Sequence, residues 1–309
     1  MDNAAPMSDR RSRLDARAVT WVLVCTALWG VNQVATRVAL AEIPPLMQAA
    51  ARSLGAALLL AAWSAARGLP VWSRDGTARA GLLAGLLFAA EFACIFVGLQ
   101  HTTASRMAVF IYLAPFVVAL GMPLIAPSER LDRWQLLGLA AAFGGVVAAF
   151  AQGFSAPVAG PKQWLGDALG IAAAVLWGAT TLVLRGSRLA TAQPEKTLLY
   201  QLVVSGLALA AASAALAEPW PQTLTGASLW PLAFQTVVVG FASYLTWFWL
   251  LRHYPATRLS AFTLFTPMFG LLAGVALLGE PVTGRLLLAL AAVSLGIALV
   301  NRLGRNPET

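Results

Sequence analysis

From residue 78 to residue 99 the chain reads ARAGLLAGLLFAAEFACIFVGL, with Arg79 and Glu91 its only charges. At 1.5 Å per residue such a run rises roughly 30 Å as a helix, which is the thickness of a bilayer's hydrocarbon core. It lacks the polar face that a soluble amphipathic helix keeps toward water. Comparable runs recur along the chain. Hydrophobic residues make up 59% of it and charged ones 11%, against roughly a quarter charged in soluble domains, and mean hydropathy is +0.73. No run alternates apolar and polar residues over about ten positions, so helices are expected and a membrane barrel is not.

Breaks rich in polar residues, Pro and Gly divide the chain into ten expected spans, at 19–41, 46–66, 78–99, 103–126, 134–151, 165–185, 196–217, 228–251, 256–278 and 285–301. Basic residues test that count. With the N-terminus inside, the inner segments hold Arg10, Arg11, Arg13, Arg17, Arg67, Arg74, Arg79, Arg130, Arg133, Arg185, Arg188, Lys196, Arg252, Arg258, Arg302 and Arg305. The outer segments hold Arg106, Lys162 and Arg285. This positive-inside bias predicts an inner-membrane protein with both termini in the cytoplasm. It also accounts for the net charge of +8 without a nucleic-acid partner. Cys25 and Cys94 both fall within apolar spans and are expected to be inert buried thiols. Neither a metal site nor a cofactor is implied.

Two stretches are written twice. Leu28-Trp29-Gly30 returns as Leu176-Trp177-Gly178, each seven residues ahead of an arginine, Arg37 and Arg185. LQHTTASRMAVFIYLAP at 99–115 aligns with LRHYPATRLSAFTLFTP at 251–267, pairing His101 with His253, Arg106 with Arg258 and Pro115 with Pro267. Glu129 and Glu280 follow after a one-residue slip. The expected organisation is a disordered basic tail at 1–17, a first five-helix repeat at 18–152, a periplasmic linker at 153–164, a second repeat at 165–302 and a tail at 303–309. Five is odd, so the second copy threads the bilayer upside down relative to the first. Inverted repeats of this kind underlie alternating access in secondary transporters.

With its paired Leu-Trp-Gly motifs, Ile43-Pro44-Pro45 followed by Ala51 and Arg52, the paired segments ending at Pro115 and Pro267, and Glu129 and Glu280, the chain resembles the drug/metabolite transporter superfamily. Within it the likeness is to the EamA-like branch, over residues 20 to 300. The resemblance implies a ten-helix inner-membrane carrier of small organic solutes, often an exporter of amino acids or related metabolites.

Charges inside spans point to the transport site, since an unpaired one costs about 2.5–3.5 kcal/mol at mid-membrane on insertion scales. Glu91 in the third span and Arg52 in the second lie at similar depth and are close enough to pair. Their repeat equivalents are Ser243 and Val204, so neither charge is duplicated. Glu91 is expected to take a proton or a substrate ammonium group, and Arg52 a carboxylate; the alternative is an ion pair that fixes helix packing. Trp29, Trp177, Phe92, Tyr244, Trp247 and Phe248 are candidates for an aromatic cavity wall, with Asn32 and Gln33 as polar lining. Pro115 and Pro267 are candidate hinges. Arg37, Arg185, Arg106 and Arg258 are expected to snorkel to the headgroups. Glu129 and Glu280 are expected to accept from the next helix start or to pair with Arg133 or Arg285.

These features predict a secondary transporter that exports small polar or zwitterionic metabolites such as amino acids. The partners are the substrate, the lipid bilayer and, through Glu91, protons. Efflux of cationic or aromatic toxic compounds would use the same residues. A non-transporting assembly protein is a further alternative. A membrane enzyme would need a nucleophile with its base or a metal constellation, and the sequence offers no HExxH, no paired acids and only His101 and His253 at span ends.

Overall fold

A computed structural model describes residues 11, 13–71, 73–102, 104–151, 160–278 and 284–301. Their regular structure is helical. The first half holds α1 (Ala16–Ala39), α2 (Pro45–Ala66), α3 (Ala78–Leu99), α4 (Ala104–Ile111), α5 (Ala114–Gly121) and α6 (Arg133–Phe150). The second holds α7 (Gln163–Gly186), α8 (Pro194–Ala215), α9 (Gly226–Ala233), α10 (Tyr244–His253), α11 (Ala256–Phe262), α12 (Phe265–Leu278) and α13 (Gly284–Asn301). Helix starts follow local chemistry. Asp15 accepts from Ala18 N at 2.8 Å, Asp132 and Gln135 form a reciprocal capping box, and Pro45 and Pro194 occupy first turns, where an N–H is not needed. Residues 16 and 17, assigned to the tail on sequence, are the first turn of α1.

Six helical segments among the described residues are long and apolar enough to cross a membrane: Ala16–Thr36, Pro45–Ala66, Ala78–Gly98, Gln163–Gly186, Pro194–Ala215 and Gly226–His253. The other four expected spans are shorter or interrupted. The segment at 103–126 is α4 and α5 with a turn at Tyr112–Leu113, and that at 256–278 is α11 and α12 with a turn at Thr263–Leu264. A proline ring clashes with the carbonyl four residues back. Here the helix stops and restarts, so that Pro115 and Pro267 fall in the first turn of the resumed helices. The backbone stays bonded through tighter contacts, Leu113 N to Phe110 O at 3.1 Å and Thr263 N to Ser260 O at 3.1 Å. The segment at 228–251 is not one regular helix either. Between α9 and α10, Phe234–Ser243 is a ten-residue π-helix.

Packing explains the repeated Leu-Trp-Gly. A Cβ on Gly30 would stand 2.7 Å from Gly270 N and 2.8 Å from Thr266 O, and one on Gly178 would stand 2.5 Å from Val117 Cβ. So α1 of the first half lies against α12 of the second, and α7 of the second against α5 of the first, each at the helix resumed after a break. α2 packs on α8, α3 on α7 and α8, and α6 on α13, where Gly138 and Gly296 bring two backbones together. Small residues permit that approach where neighbouring lipid supplies no hydrophobic drive. Large apolar side chains meanwhile stand on the outside, including Leu58, Leu120 and Leu288, all more than 70% exposed. In water such a surface would aggregate; facing lipid it is matched to its solvent.

Candidate functional site

A cavity of about 130 Å³ lies between the halves, walled by Trp29 and Asn32 of α1, Phe88, Glu91, Phe92 and Ile95 of α3, and Ile111 and Tyr112 at the first break. The second half contributes Trp177, Thr180, Thr181 and Leu184 of α7, Gln201 of α8, and Tyr244, Trp247 and Phe248 of α10. Trp29 and Trp177, the repeated tryptophans, both line it.

The aromatic side chains of the wall meet edge-on. Trp29 meets Tyr244 at 5.9 Å and Trp247 at 5.2 Å between ring centroids, Phe88 meets Phe92 at 4.8 Å and Tyr244 at 6.0 Å, and Tyr112 meets Trp177 at 6.1 Å. Edge-to-face contacts hold rings in fixed orientations, so the wall is preformed. Trp29 is pinned further by its indole N–H, which donates to Ser243 Oγ at 2.9 Å.

Glu91 is 5% exposed, and its Oε2 has no hydrogen-bond partner. Arg52 is 2% exposed with Nη2 unpartnered. As for the alternative of an ion pair between them, among the described residues none within 4.0 Å joins Arg52 and Glu91. Arg52 lays its guanidinium on the ring of Phe92, Cζ 4.1 Å from the centroid, and is hydrogen-bonded to Tyr244 of the cavity wall; it is not itself part of the lining. Its stem passes Gly240 of the π-helix, where a Cβ would come within 3.9 Å of Arg52 Cγ. Gln201, 1% exposed, has neither amide oxygen nor amide nitrogen partnered, and Asn32 Oδ1 is also buried and unpartnered. Buried polar groups without partners are rare in native structures and mark a place where a ligand or water can bind.

Eight of the residues singled out from sequence therefore line one cavity: Trp29, Asn32, Glu91, Phe92, Trp177, Tyr244, Trp247 and Phe248. Arg52 stands one ring behind it, and the side chain of Gln33 lies outside the described residues. Phe88, Ile95, Ile111, Tyr112 and Leu184 were not anticipated. Phe88 and Ile95 had a signal, since they lie three and four residues from Glu91 on the same helical face. Pro115 and Pro267 lie in the first turn after the breaks and are not among the residues lining the cavity.

Two expectations about charges are corrected. Arg185 does not snorkel outward. It is buried, ion-paired with Glu129, and donates through Nη1 to Leu251 O at 2.8 Å. Glu129 thus pairs with Arg185 rather than Arg133 or Arg285, and its Oε2 accepts from Thr257 N at 3.2 Å in the first turn of α11. Arg106 likewise turns inward, donating through Nε to Asp167 Oδ1 at 3.0 Å, while Thr102 Oγ1 donates to the same oxygen at 2.7 Å. Glu280 and the side chains of Arg37 and Arg285 lie outside the described residues.

Loops from the two halves also cap each other's helices. Glu218 accepts from Leu46 N at 3.0 Å and Met47 N at 2.9 Å, closing the start of α2, which has no capping side chain of its own. Glu42 accepts from Thr225 N at 2.8 Å and Thr225 Oγ1 at 2.7 Å at the start of α9. Hydrogen bonds from Ser228 and Thr225 hold the Glu42 carboxyl below its ordinary range.

Residues 16–151 and 164–302 each match the model of the EamA-like transporter family. A Pseudomonas aeruginosa protein is 32% identical over 303 residues, covering 97% of this chain and 98% of its own. A Salmonella typhimurium protein named "Probable amino-acid metabolite efflux pump" is 26% identical over 287 residues, 89% of this chain and 91% of its own. The uncharacterized transporter YvbV of Bacillus subtilis is 25% identical over 282 residues, 89% and 88%. One crystal structure superposes with a TM-score of 0.81 at 20% identity, covering 96% of this chain and all of that one; it shares the fold.

Proposed function

The chain belongs to the EamA-like transporter family, and we propose that it exports small amine-bearing metabolites of the amino-acid kind across the inner membrane by alternating access. The six long apolar helices among its described residues, together with the family, make it a multi-pass membrane protein. The observation that carries the substrate reading is Glu91, a buried carboxylate with an unpartnered oxygen in an aromatic cavity walled by both halves. A charge held at that depth is costly unless something pairs with it or protonates it. A substrate ammonium group would do the first and a proton the second, so binding of one excludes the other and couples proton entry to substrate exit.

For the alternation, the proposal is ten spans in two inverted repeats, both termini in the cytoplasm. The two family matches, one per half, support it, as do the Gly30 and Gly178 contacts, which use equivalent residues in exchanged halves. The breaks ahead of Pro115 and Pro267 are then the hinges about which one half adopts the packing of the other. The relative named for amino-acid metabolite efflux supports the direction and the cargo.

Purified protein reconstituted in liposomes and preloaded with one solute tests this by counterflow. Labelled amino acids and their derivatives should accumulate transiently, and Glu91→Gln should abolish the accumulation while the protein still elutes as a single species from a sizing column. Equal counterflow by Glu91→Gln and wild type would remove Glu91 from the mechanism.

A further inference from the structure

We propose, resting on the alternating-access reading above, that Thr102 with Asp167 and Tyr254 with Asp15 are latches holding opposite faces of the carrier shut, and that the balance between them sets which side the cavity opens to. The inference joins a feature of the repeat to two sets of hydrogen bonds. Thr102 and Tyr254 occupy equivalent positions, each directly after a repeated histidine, His101 and His253, and each just ahead of a short helix, α4 and α11. Threonine and tyrosine have a hydroxyl as their one polar group in common.

In both halves that hydroxyl crosses to the other half and donates to a carboxylate at the start of a matched long helix. Thr102 Oγ1 donates at 2.7 Å to Oδ1 of Asp167, in the second turn of α7. Tyr254 Oη lies 3.0 Å from both oxygens of Asp15, the residue that caps α1. An arginine completes each set. Arg106 donates through Nε to Asp167 Oδ1 at 3.0 Å. Arg11 pairs with Asp15, and its Cζ lies 5.8 Å from the centroid of the Tyr254 ring. The chain leading into α1 is fastened to the end of α10 as well, by Arg11 N donating to His253 O at 3.0 Å and by Arg17 Cζ, 4.9 Å from the Trp249 ring centroid.

Placement makes each latch specific to one state. In the ten-span topology proposed above, the Thr102 and Asp167 set lies at the outer face and the Tyr254 and Asp15 set at the inner face. Moving the halves apart at either face by roughly 1 Å carries these bonds beyond hydrogen-bonding distance. Opening a face therefore breaks its own latch and leaves the opposite one made. A contact present in one state and absent from the other biases the equilibrium between them, so removing a latch favours the state open on its side. The Arg185–Glu129 pair also joins the halves on the inner side, but it shares no residue with either latch.

A cysteine replacing Thr181, which lines the cavity, reports which way the cavity faces in full-length protein whose Cys25 and Cys94 are changed to alanine. Its rate of reaction with a membrane-impermeant maleimide is measured from the outer side in right-side-out vesicles and from the inner side in inside-out vesicles. Thr102→Val, and more so Asp167→Asn, should raise the outer rate and lower the inner rate by about three- to tenfold. Tyr254→Phe should do the reverse, and Thr102→Ser, which keeps the hydroxyl, should react as the parent does. If Asp167→Asn does not fold, Thr102→Val and Tyr254→Phe, which leave every charge in place, still decide. Contacts that only support the fold would move both rates in the same direction, and that result, or unchanged rates on both sides, would overturn the proposal. A parent protein that reacts from one side alone would overturn the alternating-access reading and the latches with it.

Discussion

Arg185 of α7 and Glu129, just ahead of α6, form an ion pair that joins the two halves in the interior, with 2% and 6% of their side chains exposed. Glu129 also accepts from the backbone of Thr257, and Arg185 donates to the carbonyl of Leu251, so one charge pair ties α7 and the approach to α6 to the junction of α10 and α11. Removing one member of such a pair strands the other in a poorly solvated place, at about 3–5 kcal/mol. Removing both avoids the stranded charge.

Arg185→Met should therefore lower thermal stability sharply, and Glu129→Gln combined with Arg185→Met should be less harmful than Arg185→Met alone. The fraction of protein still monodisperse after heating, read by size exclusion, measures both. Strict additivity of the two single losses would show that the pair is not the coupling element.

The two repeated glycines should differ in tolerance. A methyl at Gly30 meets backbone atoms, Gly270 N and Thr266 O, which cannot give way, whereas one at Gly178 meets the side chain of Val117. Overpacking typically costs about 1–3 kcal/mol. Gly30→Ala should fall at or beyond the top of that range and Gly178→Ala lower, compared by midpoint temperature. Gly178→Ala combined with Val117→Ala should recover most of its loss, and no rescue would place the strain elsewhere.

Outside the spans, Asp75 links the loop before α3 to the start of α8. Lys196 Nζ donates to its Oδ2 at 2.7 Å and Thr77 Oγ1 to its Oδ1 at 2.6 Å, and these hold the carboxyl well below its ordinary 3.8. A carboxyl whose folded pKa is depressed stabilises the fold above the unfolded value and loses that contribution as pH falls toward the folded one. Asp75→Asn should lower the midpoint temperature at pH 7, and the gap to wild type should close below about pH 4. Asp75 is 41% exposed, so the gap should be small and should shrink in high salt. A gap that widens on acidification would contradict this account.

Glu218 should act on α2 through backbone groups at its start. Replacing a capping side chain by Ala costs about 0.5–2 kcal/mol, and Glu218→Ala also releases Ser213 Oγ, which donates to Oε2 at 2.7 Å. Hydrogen exchange should rise at Leu46 and Met47 while the centre of α2, around Ala56, stays protected. Uniform loss of protection along the helix would mean that the loop contact, not the cap, was the support.

Much of the site was readable because membrane insertion makes a charge in an apolar run conspicuous and the repeat gives each residue a counterpart for comparison. Glu91, Trp29 and Trp177 stand out that way, and Tyr244, Trp247 and Phe248 share a helical face at spacings of three and four. What was missed depended on contacts between distant positions. Nothing local to Arg185 says that it finds Glu129, 56 residues away, instead of a headgroup. Arg52 and Glu91 have matching depth, but depth alone could not show that the ring of Phe92 takes the guanidinium. The breaks at 112–113 and 263–264 were signalled by prolines, although a kink and a restart look alike in sequence. The π-helix had no comparable signal, because widening one turn changes backbone bonding without requiring any particular residue.

That wide segment, Phe234–Ser243, sets the rotational phase of everything after it. Each residue of an α-helix advances about 100° around the axis, and a π turn advances less. Tightening the segment to regular α pitch would rotate Tyr244, Trp247 and Phe248 away from the cavity and carry Ser243 off Trp29. The aim of the aromatic wall is thus fixed by winding upstream of it, and deleting a single residue between 234 and 243 should redirect it while every cavity side chain keeps its identity.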